Sequence, residues 1–263
     1  MKSGTTLCKD MFNITHQINI LTIKAPNLHT IESDFLKNQP ITGDVTIDDT
    51  KLEIIKKHTF RNLDISTIYL IFNQIKVIEN EAFVDLKNFY HLDLRNNKLT
   101  IINAKAFVHV PSLNSLGFSY NRIQKLGKNV FNFVQNKNIH IHLSHNEIQI
   151  LDENAFDGLK QVYLDLSHNS IEYFPSGVFE NRRFEDIKLN YNPIKHVSDD
   201  FFGKNCNIHT FYIDYNFLDS DTVAKFKRWS VENKVRLTLS LNSGSANWKK
   251  SVLVVIIVNI FCC

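Results

Sequence analysis

A chain of 263 residues, 43% hydrophobic and 22% charged, carries ample material for a continuous core, which excludes a disordered polymer. Its 30 basic and 27 acidic residues leave a formal charge of +3 spread along the chain, without the basic stripe that nucleic acid demands, so no nucleic-acid partner is expected. The 20 phenylalanines, against 8 glycines and 5 prolines, point to a systematic use of that residue and hence to internal repetition.

Residues 1–17 read as an N-terminal flank. Met1 to Asp10 holds no apolar stretch of the kind that opens a secretory chain, and the first repeat is partial, so the N-terminus is expected to be incomplete. Asn13-Ile14-Thr15 makes Asn13 a candidate glycosylation site. The cysteines fall at 8, 206, 262 and 263, a spacing that gives neither a zinc site nor a disulfide framework.

Residues 18–220 are nine repeats. Aligned on asparagine, Ile65, Ile68, Leu70, Asn73 and Ile75 recur as Phe89, Leu92, Leu94, Asn97 and Leu99, and again as Leu113, Leu116, Phe118, Asn121 and Ile123. Further turns centre on Asn146, Asn169, Asn192 and Asn216, while two degenerate turns place Pro26 and Thr50 where the asparagine should be. The anchors are 23 to 25 residues apart. A second column keeps step: Phe60, Phe83, Phe107, Phe131, Phe156, Phe179, Phe202 and Phe226 each lie ten residues after an anchor, and Phe35 comes one residue early. One such turn cannot bury itself, so stacking is predicted: a parallel sheet gaining one strand per turn, with the asparagine amide satisfying backbone groups where the chain bends away. The phenylalanines should fill the opposite, convex side, each contributing about 1.5 to 3 kcal/mol if buried. The missing asparagines predict a looser N-terminal end.

Residues 221–241 read as the C-terminal cap. Asp221 is placed to cap a helix whose apolar side includes Val223, Phe226 and Trp229, and Val235, Leu237, Leu239 and Leu241 then alternate with polar residues as a closing strand would. Residues 242–263 give small residues, a short polar spacer and an apolar run, the order of a glycosylphosphatidylinositol attachment signal with Ser243, Gly244 or Ser245 as acceptor. An apolar run of about a dozen residues is short for a spanning helix.

The repeat pattern resembles the typical leucine-rich repeats of Toll-like receptor ectodomains, small proteoglycans and chaoptin- or connectin-like insect surface proteins. It extends over roughly Ile18 to Phe226. The resemblance implies an α/β solenoid, a horseshoe with a parallel concave sheet and an irregular convex side, in an extracellular or lumenal binding protein at the cell surface. The chain departs from the family's cysteine-rich C-terminal flank.

In such a solenoid the open face can be read column by column. Tyr69, Asp93, His142, Asp165, Lys188 and Tyr212 lie between inner apolar residues, flanked by His91, His140, Tyr163 and Asp186 on one side and Arg95 on the other. Just before the anchors come Phe72, Tyr120, His145, His168, Tyr191 and Tyr215. Outward aromatics, histidines and aspartates at this density suit recognition, because rigid rings lose little entropy on binding. His140, His142 and His145 share one turn, with Asp165 and His168 beside them, yet exposed strand histidines are commonly ordinary side chains and no metal is expected. No nucleophile elbow, phosphate loop, H-E-x-x-H or calcium loop occurs, so neither an enzyme nor a cofactor is expected. The leading expectation is a tethered, receptor-like or immune recognition protein whose concave face takes a protein or glycan, with a co-receptor or self-association. Alternatives are homophilic adhesion and, if Met1 is the true start, a cytosolic scaffold.

Overall fold

Side chains alternate faces along a strand, so apolar residues two apart enter one core and the residue between them faces out. The computed structural model, which describes residues 5–8, 11, 14–136, 138–214 and 217–240, repeats this local choice turn after turn. One sheet of ten parallel strands runs in chain order through Ile18–Thr22, Ile41–Thr46, Thr67–Tyr69, His91–Asp93, Ser115–Gly117, Asn138–His142, Gln161–Asp165, Arg183–Lys188, Asn207–Asp214 and Arg236–Ser240. Nine strands belong to the repeats, and the tenth follows the cap helix. In the centre the register is one to one: His91, Leu92 and Asp93 face Ser115, Leu116 and Gly117, which face His140, Ile141 and His142. The opposite side is mostly turns, with short parallel ladders such as Phe60–Arg61, Phe83–Val84 and Phe107–Val108. At the N-terminal end Thr5–Leu7 pairs in parallel with Leu28–Ile31, and Leu7 joins the core.

The repeated apolar positions are the core. From Ile65 to Ile123 every quoted aliphatic or phenylalanine of the first column set is at most 1% exposed, and Phe107 of the second column is 6% exposed. The asparagines form a second, polar spine inside it. Asn121 donates from Nδ2 to the carbonyls of Leu94 (2.9 Å) and Phe118 (3.0 Å) and accepts at Oδ1 from the Leu99 amide (3.0 Å). Asn97, Asn146, Asn169 and Asn192 repeat the arrangement, each tying its own bend to the turn before. Thr50 partly replaces its missing asparagine: its buried hydroxyl accepts from the Leu52 amide (3.1 Å) and donates to Asn73 Oδ1 (2.6 Å). The N-terminal end therefore keeps part of the bonding whose loss the sequence implied. Pro26 is exposed, and Asn216 lies outside the described residues.

The phenylalanine column is buried along the convex side. Phe60, Phe83 and Phe107 stack at centroid distances of 5.4 and 5.1 Å, and Phe131, Phe156 and Phe179 at 6.0 and 6.3 Å. Toward the C-terminus the contacts turn edge-on, with Phe201 against Phe179 and Phe226. This is where the cap begins.

Helix α1 (Ser220–Glu232) closes the core with Val223 and Phe226, while Trp229 stacks on Phe202 at 3.5 Å. Its N-cap is Asp219, not Asp221: the Asp219 carboxylate accepts from the Thr222 amide (2.7 Å), a bond that holds its pKa down. Asp221 sits inside the first turn and pairs with Lys225 four residues on. Both carboxylates suit the positive helix end, and the extended backbone of Asp219 decides which one caps. Val235, Leu237 and Leu239 then bury one side of the closing strand.

Candidate recognition face

The residue immediately before each anchor builds the outer edge of the concave face. Asp49, Phe72, Asn96, Tyr120, His145, His168 and Tyr191 all have φ between 54° and 59°, the left-handed region, and none is glycine. That conformation is unfavourable for bulky residues by roughly 1 kcal/mol. It is held by the next turn: the amides of Asn96, Tyr120, His145 and His168 donate to the carbonyls of Ser119, Ser144, Ser167 and Asn190 at 2.9 to 3.1 Å. The bend aims each side chain outward at one repeat per step, and the rings stack. Tyr120 lies on His145 (4.2 Å, 7°), His145 on His168 (4.0 Å, 12°) and His168 on Tyr191 (4.0 Å, 13°). Their faces cover one another, so this ladder offers its edges, phenol hydroxyls and imidazole nitrogens, to a partner. Phe72 is 60% exposed but lies two turns from Tyr120, beyond Asn96, and stands apart from the stack.

A second group sits on the strands themselves. His140 stacks on Tyr163 (4.2 Å, 3°), and Tyr69 tilts against His91 (5.6 Å, 58°). Asp165 accepts from the amide and hydroxyl of Ser167 (3.0 and 2.6 Å). Lys188 pairs in register with Asp165 on one side and Tyr212 on the other, with Asp186 two residues before it. Asp93 is a correction. The sequence places it on the open face, yet it is only 2% exposed, because Arg95 folds back over it with Nε at 2.9 and 2.8 Å and Nη2 at 2.6 Å from its carboxylate. It is therefore a buried counter-ion for Arg95 at the bottom of the face.

Next to that pair the face opens. Gly117 and Ser119 offer no bulky side chain on this turn, and a hollow of about 460 Å³ forms over them. Tyr69, His91, Arg95, Tyr120 and His142 wall it, and Ser144 donates to Ser119 across its rim (3.0 Å). Gly117 is required by its neighbour: a Cβ there would stand 2.9 Å from Asp93 Oδ1. Ser119, Ser144 and Gly117 were not among the residues singled out from the sequence, although Gly117 and Ser119 are visible in the repeat columns as small residues on one turn. Burial among flanking turns lowers the pKa of His91 and His142 against the opposing pull of Asp93 and Asp165. Burial and then the adjacent His145 lower that of His168. These three rings are uncharged at neutral pH.

Tyr215, Asn13, Ser243, Gly244 and Ser245 lie outside the described residues. Among the described residues no group of three or more His, Cys, Asp or Glu has the geometry to hold a metal, and no helix is long and apolar enough to cross a membrane. Cys8 and Cys206 are unpaired and half-buried, and burial pushes the Cys206 thiol up to about 12. That thiol is protonated at neutral pH and a poor nucleophile for joining two chains.

Against known proteins, the leucine rich repeat family pattern matches residues 64–123 and 111–171. Over those residues the chain is built of leucine-rich repeats. The solved structure of the Toll–Spätzle complex of Drosophila superimposes on this leucine-rich-repeat chain with a TM-score of 0.66 at 15% identity, over 76% of this chain and 27% of that one. The TLR13–ssRNA13 complex gives 0.52 at 18% identity, over 86% and 43%. The fold thus resembles Toll-like receptor ectodomains. Leucine-rich repeat-containing protein 3B of cattle, mouse and human is 44% identical over 66 residues, which is 25% of this chain. The chain spans about a quarter (26%) of the length of those relatives.

Proposed function

We propose that this leucine-rich-repeat chain is a non-enzymatic recognition protein that binds a protein ligand on its concave face. The ladder Tyr120, His145, His168 and Tyr191 carries the reading, because four ordered rings held by backbone geometry present polar edges with little left to immobilise on binding. A structural neighbour, Toll, is solved with Spätzle, which supports a protein ligand. Another, TLR13, is solved with ssRNA, so RNA belongs among the ligands tested. One observation favours homophilic adhesion as a second reading: Ile54, Val77, Ile101, Ile150 and Tyr173, each four residues after an anchor, are exposed apolar residues in one column, interrupted by Lys125 after Asn121.

One assay separates these readings. Immobilised protein is challenged with a displayed peptide library, a glycan array, single-stranded RNA and a second copy of itself. Peptide capture is expected, and the combined variant Tyr120→Ser, His168→Ser, Tyr191→Ser should weaken it about tenfold or more. Capture that is insensitive to that variant, or confined to glycans, RNA or the second copy, would defeat the proposal.

The finer proposal is a chain held at the cell surface through a lipid attached at Ser243, Gly244 or Ser245. The small-residue, spacer and apolar order of residues 242–263 supports it. Phosphatidylinositol-specific phospholipase C should then release the protein from intact expressing cells, and retention on the cells after treatment would count against the anchor.

A further inference from the structure

We infer that the hollow over Gly117 and Ser119 receives a planar ring from the ligand, the phenol of a tyrosine or the indole of a tryptophan side chain. The inference rests on the concave face being the recognition surface and names what one part of it takes.

Along the central column Asp93, Gly117 and His142 occupy successive strands in register. On one side the Arg95 guanidinium folds back over Asp93, whose carboxylate leans toward Gly117, and on the other stands the imidazole of His142. Tyr69, His91 and Tyr120 complete the wall, and no side chain rises from Gly117 at the floor. A ring entering the hollow therefore meets planar groups on several sides, and such groups stack favourably at centroid distances of roughly 4.5–7 Å.

The chemistry narrows the occupant. Asp93 and Arg95 neutralise each other at 2.6 to 2.9 Å, and burial keeps His91 and His142 uncharged, so neither an anion nor a cation finds a free counter-charge. The hydrogen-bonded hydroxyls of Ser119 and Ser144 at the rim suit a ring with one polar atom on its edge, such as a phenol O–H or an indole N–H.

The test follows backbone amides 117, 119 and 144 of the isotope-labelled full-length chain by NMR during titration with four probes. N-acetyltyrosinamide and N-acetyltryptophanamide are expected to shift these amides saturably, and methyl α-glucoside and N-acetylalaninamide to leave them in place. Gly117→Leu, whose side chain must displace the Asp93 carboxylate and occupy the floor of the hollow, should raise the dissociation constant at least about tenfold. His142→Ala removes one exposed wall and should raise it about threefold to tenfold with an unchanged thermal midpoint. Shifts from the glucoside in place of the ring amides, or unchanged ring binding in either folded variant, would overturn the inference. Should Gly117→Leu not fold, His142→Ala decides alone. Peptide capture that survives Gly117→Leu but is lost in the Tyr120, His168, Tyr191 variant sinks this inference and spares the recognition face. Insensitivity to both sinks the wider reading.

Discussion

Replacing Asn121 with alanine is expected to destabilise the protein by about 3 kcal/mol, lowering the thermal midpoint by roughly 6 to 12 °C. The side chain is 7% exposed and serves the Leu94, Phe118 and Ser119 carbonyls and the Leu99 amide. Alanine orphans the Leu99 amide in the interior, at about 1 to 3 kcal/mol, and takes one of two side-chain donors from the Leu94 and Phe118 carbonyls, which keep those of Asn97 and Asn146. Asn121→Asp isolates the donors: a carboxylate can still accept from Leu99 but cannot donate to the two carbonyls and sets negative charge against them. It should therefore be at least as damaging as alanine. Each turn is stabilised mainly by its neighbours, so weakening one joint in the middle of the stack should also separate the unfolding of the two flanks. Calorimetry and circular dichroism would show this, and a midpoint within about 2 °C of the parent would show that the asparagine spine contributes little.

The second large effect concerns the convex side. Phe83→Ala should cost about 3 to 5 kcal/mol, since the ring is fully buried between Phe60 and Phe107, with Phe89 also stacked on it at 6.1 Å. Phe83→Leu retains most of the volume and should lose about 1.5 kcal/mol or less. Phe72→Ala is the informative contrast, because the same residue type, 60% exposed on the other side of the solenoid, should change stability by no more than about 0.5 kcal/mol. Equal losses at 72 and 83, read from urea denaturation midpoints, would mean that the buried column does not act as the structural spine.

The parts legible in the sequence are those imposed by periodicity. Leu92, Leu94, Asn97 and Phe107 are buried because a stack of identical turns has one inside, and any residue recurring every 24 or so positions must share its neighbour's environment. The closing strand was legible for a similar reason, since alternation at Val235, Leu237 and Leu239 admits one buried side. The errors lie where a contact depends on a single neighbour. Asp93 is covered because Arg95 happens to follow it by two and Gly117 leaves room across the strand, neither of which the repeat demands. Asp219 outcompetes Asp221 by backbone conformation, which two nearby aspartates do not advertise. The left-handed bends at the corners before the anchors were hard to see, because asparagine or aspartate signals them only at Asn96 and Asp49, while Phe72, Tyr120, His145, His168 and Tyr191 occupy the others. The hollow was half legible: Gly117 and Ser119 are plainly small, but their significance emerges only when Arg95 and His142 are set on either side of them.

Those bends bear on how such a protein diversifies. Its corners are clasped by amide-to-carbonyl bonds from the following turn and by the buried anchor asparagines, so the side chain at the corner itself is not asked to stabilise them. Exchange of tyrosine for histidine or phenylalanine at such a corner therefore alters what a visitor meets while leaving the hidden scaffold untouched. Descendants of one ancestral chain could keep every interior column and still drift apart in whom they greet, one corner at a time.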